Sequence, residues 1–86
     1  MIKKRLQLIY TVPGDVDCAY FNSWKELHIH LFEHGLYKEF QVIDPTGDSV
    51  LHYIKKDGGK YELKFSEKVP GSVLFEIVNR HASAHL

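Results

Sequence analysis

The sequence predicts an α+β fold: an antiparallel sheet of four to five strands covered by one amphipathic helix, with a second helix at the C-terminus. Three observations carry that expectation. Residues 4–12 and 36–66 hold short runs of alternating apolar and polar side chains broken by Pro, Gly and Asp, the pattern of half-buried strands joined by turns. Residues 24–34 instead repeat apolar groups at helical spacing, between Ser23 and Gly35, which supply a start and a stop. With 86 residues, 44% of them hydrophobic, the chain has material for one core, so residues 1–86 are expected to be a single domain.

The first strand sets Leu6, Leu8 and Tyr10 inward against Arg5, Gln7, Ile9 and Thr11, because successive side chains of a strand point to opposite faces. Pro13-Gly14 ends it: proline presets a turn and glycine accepts positive φ. Residues 16–21, VDCAYF, suit either a short return strand or a loop. Ser23 can then cap free backbone N–H groups, with Glu26 reaching back in a capping box. The helix that follows places Trp24, Leu27, His28, Leu31 and Phe32 on one face, and Lys25, Glu26 and Glu33 on the other.

Residues 36–43, 49–55 and 60–66 read as a meander, its second connection containing Asp57-Gly58-Gly59, which offers the positive-φ positions of a tight hairpin. In the last of these strands Tyr61, Leu63 and Phe65 are expected to face inward, and Glu62 and Lys64 outward. After Pro70-Gly71, Ser72 is positioned to cap a second helix with Val73, Leu74, Ile77, Val78 and His81 in its apolar sector. A strand through Val73, Phe75 and Ile77 competes, but Glu76, Asn79 and Arg80 cluster at the helical period.

Eleven basic and eleven acidic side chains give a formal charge of zero, which argues against a general nucleic-acid binder. The balance runs +3 over residues 1–14, −5 over 15–48 and +2 over 49–86, a mildly acidic middle. The order helix, three strands, helix is shared with double-stranded RNA-binding domains. Where such a module would carry a basic cluster, at the start of the second helix, this chain has PGSVLFEIV. A single cysteine, Cys18, precludes an internal disulfide and suits a reducing compartment, and it reads as a small buried apolar group. The N-terminal segment resembles no signal peptide, and no apolar run approaches the ~18 residues of a membrane span. A cytoplasmic protein with no membrane association is the expectation.

Residues 28–34, HIHLFEH, contain His-x-x-Glu-His, the inverted zinc-protease signature. His30 and His34 stand one helical turn apart, a spacing that lets two imidazoles share a zinc ion, the site to be completed by another chain or by His81 and His85. His28 lies about 120° or more around the helix from both. So short a chain has no room for the cleft and further ligands of such an enzyme, and His30 and His34 read as helix-rim residues. No nucleophile, base and orienting group are marked by spacing, and Asp57-Gly-Gly-Lys60 precedes no helix, so it is no phosphate loop. No catalytic, cofactor or metal residue is assigned.

The outward face of the sheet is the remaining candidate. It is expected to carry Arg5, Ile9, Ile43 and Lys64, with Tyr37 and Tyr53 adding aromatic bulk, a mixture favoured at interface hot spots. The sequence therefore points to a small non-catalytic binding protein, an adaptor or inhibitor, that meets a protein partner or a second copy of itself. A nucleic-acid-binding module and a metal-dependent activity at His30 and His34 are the alternatives.

Overall fold

The computed structural model describes residues 5–33 and 37–83. The alternating segments become five strands, β1 (Leu6–Val12), β2 (Asp15–Phe21), β3 (Glu39–Ile43), β4 (Ser49–Lys55) and β5 (Tyr61–Phe65); the helical segments become α1 (Trp24–Glu33) and α2 (Gly71–Ser83). All neighbouring strands are antiparallel, in the order β2-β1-β3-β4-β5. Residues 16–21 are thus a full strand and not a loop. Val12 pairs with Asp15, which leaves Pro13 and Gly14 as a two-residue turn, with Gly14 at φ 81°, where a side chain would be strained.

Both helices pack on one face of the sheet. Leu27, Leu31 and Phe32 of α1, and Val73 and Ile77 of α2, are buried against Leu6, Leu8, Phe40, Val42, Leu51 and Tyr53 of the strands. One irregularity tunes this layer. Val42 pairs with Leu51 but Ile43 pairs with Ser49, so Val50 is an extra residue in β4. Such a bulge breaks strict alternation, and both Val50 and Leu51 are buried.

The capping box at α1 forms with one change. The Glu26 N–H donates to Ser23 Oγ at 3.2 Å, and the Glu26 carboxylate accepts from the Asn22 N–H at 3.0 Å, one residue before the expected donor. At α2 the expected cap is corrected: the helix begins at Gly71, and the Pro70 carbonyl accepts from the Val73 and Leu74 N–H groups. Ser72 is already inside the first turn, so Pro70, which has no N–H to leave unpaired, occupies the cap. β3 is shorter than expected, since Tyr37 and Lys38 precede it. The helix stop at Gly35, the strand start at Leu36, and His34 and His85 lie outside the described residues.

Inside the core, Tyr53 Oη lies 3.0 Å from His81 Nδ1, and His81 Nε2 lies 3.0 Å from the Gly59 carbonyl oxygen. A carbonyl only accepts, so Nε2 carries the proton and donates to it, and in the neutral imidazole Nδ1 then accepts from the tyrosine hydroxyl. This chain of bonds ties the end of α2 to β4 and to the β4–β5 connection. Burial, followed by Tyr61, pushes the Tyr53 hydroxyl up from its ordinary pKa.

Candidate functional site: the open face of the sheet

Because the helices share one face, period-two geometry delivers every second strand residue to the other. Ile9 is flanked there by Cys18 and Gln41, with His52 and Lys64 continuing the row across β4 and β5. Gln7 lies between Tyr20 and Ile43, and Ile54 between Glu39 and Glu62. Val16 and Tyr20 are more than half exposed, while Ile9, Ile43 and Ile54 are half-buried by their neighbours.

The polar groups of this face are paired among themselves. His52 Nε2 meets Glu39 Oε2 at 2.9 Å, Ser49 Oγ donates to Gln41 Oε1 at 3.1 Å, Gln7 Nε2 donates to Tyr20 Oη at 3.2 Å, and Thr11 Oγ1 donates to the Glu39 carbonyl at 3.3 Å. At the β5 edge Lys56 Nζ lies 2.6 Å from Glu62 Oε1, and that bond, followed by the charge of Lys56, holds the Glu62 carboxyl below its ordinary pKa. What is left over is mainly aliphatic, with Cys18 and the exposed Lys64 at the two ends of the central row. A shallow depression lined by Ile9, Thr11, Val16, Glu39, Gln41 and His52 lies on this face.

The expected site residues divide. Ile9, Ile43 and Lys64 stand on the open face, and Arg5 is exposed just before β1. Tyr53 is corrected: it is fully buried on the helix side, because it pairs with Phe40 and Leu63, both on that face. Tyr37 is corrected too. Its ring stacks on Tyr10 at 4.4 Å, packed against the core, and burial raises the hydroxyl pKa of both. Phe65, expected inward, points to the helix side but remains 55% exposed, since neither helix reaches over it. Sequence reasoning missed Val16, Cys18, Tyr20, His52 and Ile54. The alternation of β2 was readable, whereas that of β4 was masked by the bulge at Val50.

The other candidates separate in space. Cys18 is exposed, contrary to the buried placement expected, because it sits on the open face of an edge strand. His52 shares its row but stands three strand spacings away, about 14 Å, too far to activate the thiol. His30 lies beside the Phe21 ring at 5.0 Å between centroids. Among the described residues no three metal-ligating side chains come together, and no helix is long and apolar enough to cross a membrane. The lysine-rich C-terminal half is partly neutralised: besides Lys56, Lys68 Nζ lies 3.0 Å from Asp44 and 3.8 Å from Asp48. Comparisons with protein-family models, curated proteins and solved structures find no match to this chain.

Proposed function

We propose that this is a non-catalytic binding protein, an adaptor or inhibitor, that docks a protein partner on the open face of its sheet. One observation carries the reading: both helices cover the same side, so Ile9, Ile43 and Ile54, with Val16 and Tyr20, lie on a surface that no element of the described chain covers. Most of the polar groups around them already hold one another, so a partner need not leave those unpaired on docking, which would otherwise cost about 1–3 kcal/mol per group. A broad, shallow face on which aliphatic side chains alternate with polar groups that are already bonded suits a macromolecular interface, which as a whole is about as apolar as the rest of a protein surface, whereas small ligands favour enclosed clefts.

The test separates folding from association. The partner is recovered from the host with the parent protein, purified, and titrated calorimetrically against the parent and against Ile9→Asp and Ile54→Asp. Each variant is expected to keep its helical circular dichroism while binding at least about tenfold more weakly, as at the loss of a hot-spot contact. Folded variants that bind as tightly as the parent would remove this face from the interaction.

A further inference from the structure

The two edges of the sheet are finished differently. On β2 the outward N–H groups of Val16 and Cys18 are taken by the preceding aspartates, with Asp15 Oδ1 at 2.7 Å and Asp17 Oδ1 at 2.8 Å, and charges on an edge discourage strand pairing. β5 also carries charges, Glu62 and Lys64, but among the described residues no side chain takes its outward N–H groups. The Lys56 N–H donates to the Lys60 carbonyl at one end of the β4–β5 ladder, and the Ser66 N–H to the Val50 carbonyl at the other. Antiparallel pairs alternate, so Glu62 and Lys64 bond inward to Ile54 and His52. The main-chain N–H and C=O groups of Tyr61, Leu63 and Phe65 therefore point away from the sheet.

The residues along this edge read Tyr61-Glu62-Leu63-Lys64-Phe65, an order that is chemically symmetric about Leu63. We propose that β5 is the interface of a homodimer, two copies pairing β5 to β5 antiparallel about a two-fold axis at Leu63. Leu63 then lies opposite Leu63 of the second copy, Tyr61 opposite Phe65, and Glu62 opposite Lys64, each contact occurring twice as a two-fold requires. The three outward-pointing pairs each exchange two main-chain hydrogen bonds, and the two charge pairs add the attraction of opposite charges across strands. Centring on Glu62 or on Lys64 would set like charges face to face; centring on Tyr61 or Phe65 would leave half the edge unpaired.

The flank of α2 agrees with this placement. Glu76 and Arg80 face α1, with Glu76 Oε1 3.9 Å from His28 Nε2 and the Arg80 guanidinium 5.3 Å from the Phe32 ring centre. The ~100° step per residue puts Leu74 and Val78 on the opposite flank, the one turned away from α1. Val78 is 45% exposed and Phe65 55% exposed, an apolar continuation of the strand edge that the second copy would cover. The axis is perpendicular to the sheet, so the pairing yields one ten-stranded sheet with all four helices on one side and leaves the open face uncovered. It goes beyond the docking role of that face and does not depend on it.

The test is a charge swap read by sedimentation equilibrium on the full chain. The parent is expected to weigh twice its 10.0 kDa chain. Glu62→Lys and Lys64→Glu alone are each expected to raise the dimer dissociation constant by about tenfold or more through two like-charge oppositions, while the double variant Glu62→Lys/Lys64→Glu restores dimerisation. A parent that stays monomeric at about 100 μM, or a dimer indifferent to the single reversals, would overturn the proposal. A second arm places a thiol at the axis in a Cys18→Ser background: Leu63→Cys should form a disulfide dimer on mild oxidation and Lys25→Cys, on the far side of α1, should not. Equal crosslinking by both, or by neither, counts against the two-fold at Leu63.

Discussion

Tyr53 and Ile54 are neighbours in β4 and lie on opposite faces of the same sheet, and by residue type alone their places would be exchanged. The tyrosine, with a polar hydroxyl, is fully buried; the isoleucine is half-exposed. Two things reverse the usual ranking. On the helix side His81 gives the hydroxyl a buried acceptor, which removes the cost of an unmade hydrogen bond. On the other side no helix covers the isoleucine. Burial here is decided by which face the helices occupy, and hydrophobicity at a position does not by itself name that face.

Substitutions on the packed face should break the fold, and the largest effect is expected at Tyr53. Tyr53→Ala removes a ring that packs on Phe40 and Tyr61 and should cost ~3–5 kcal/mol, read from urea denaturation. Tyr53→Phe keeps the ring and deletes only the donor to His81, so a smaller loss of ~1–3 kcal/mol is expected. Equal losses for the two would mean that the hydroxyl, not the ring, dominates. Leu31→Ala should fall between them or match the first, at ~2–5 kcal/mol.

The comparison also marks how far the residues alone could carry the fold. β1, α1 and the β4–β5 hairpin were legible because each combines a clear period with a boundary signal of its own: Pro13-Gly14 after β1, the Ser23 and Glu26 cap before α1, and Asp57-Gly58-Gly59 in the hairpin, whose Gly58 and Gly59 take φ 76° and 78°. Face assignment in β4 was not legible. Val50, Leu51 and Tyr53 are all buried, and the extra residue of the bulge cannot be told from an ordinary strand position without knowing its partner in β3. Tyr37 failed for a related reason, since extending β3 back to Leu36 assigned it a strand parity that it does not have. The edges were the least legible of all: the symmetry of Tyr61–Phe65 has meaning only once β5 is known to be outermost.

Loops test the comparison more gently. Asp44 is buried in the β3–β4 turn, where it accepts from Thr46 and Asp48 and meets Lys68. The Thr46 hydroxyl bond first, then Lys68, hold its carboxyl well below the ordinary carboxylate range. A depressed folded-state pKa means stability present above the unfolded value near ~4 and lost as pH falls through the folded one. Melting temperature should therefore drop on acidification below about pH 4, and Asp44→Asn should flatten that drop. An unchanged acid profile in the variant would show that other carboxylates govern it. At the start of α1, Ser23→Ala should cost ~0.5–2 kcal/mol through loss of the bond to the Glu26 N–H, without altering any property of the sheet faces.

The smallest effect is expected on the open face, and it is the one that makes the contrast with Tyr53 sharp. Ile54→Thr keeps a β-branched side chain, so the strand retains its backbone preference, and it removes apolar area that is only partly shielded from water. The transfer value of ~25 cal/mol per Å² applies to area that leaves water on folding; for a half-buried isoleucine much of that area never does. A loss under ~1 kcal/mol is the expectation. The added hydroxyl also has an outlet, since solvent reaches this face, whereas the same change at Leu51, on the packed side of the same strand, would bury it among apolar groups at a cost of several kcal/mol. Measuring Ile54→Thr beside Leu51→Thr in urea thus holds strand, residue type and substitution nearly constant and varies only the face. Similar losses at the two would mean that the open face is covered in solution even without a partner, and the difference between the faces would have to be sought in a self-associated state.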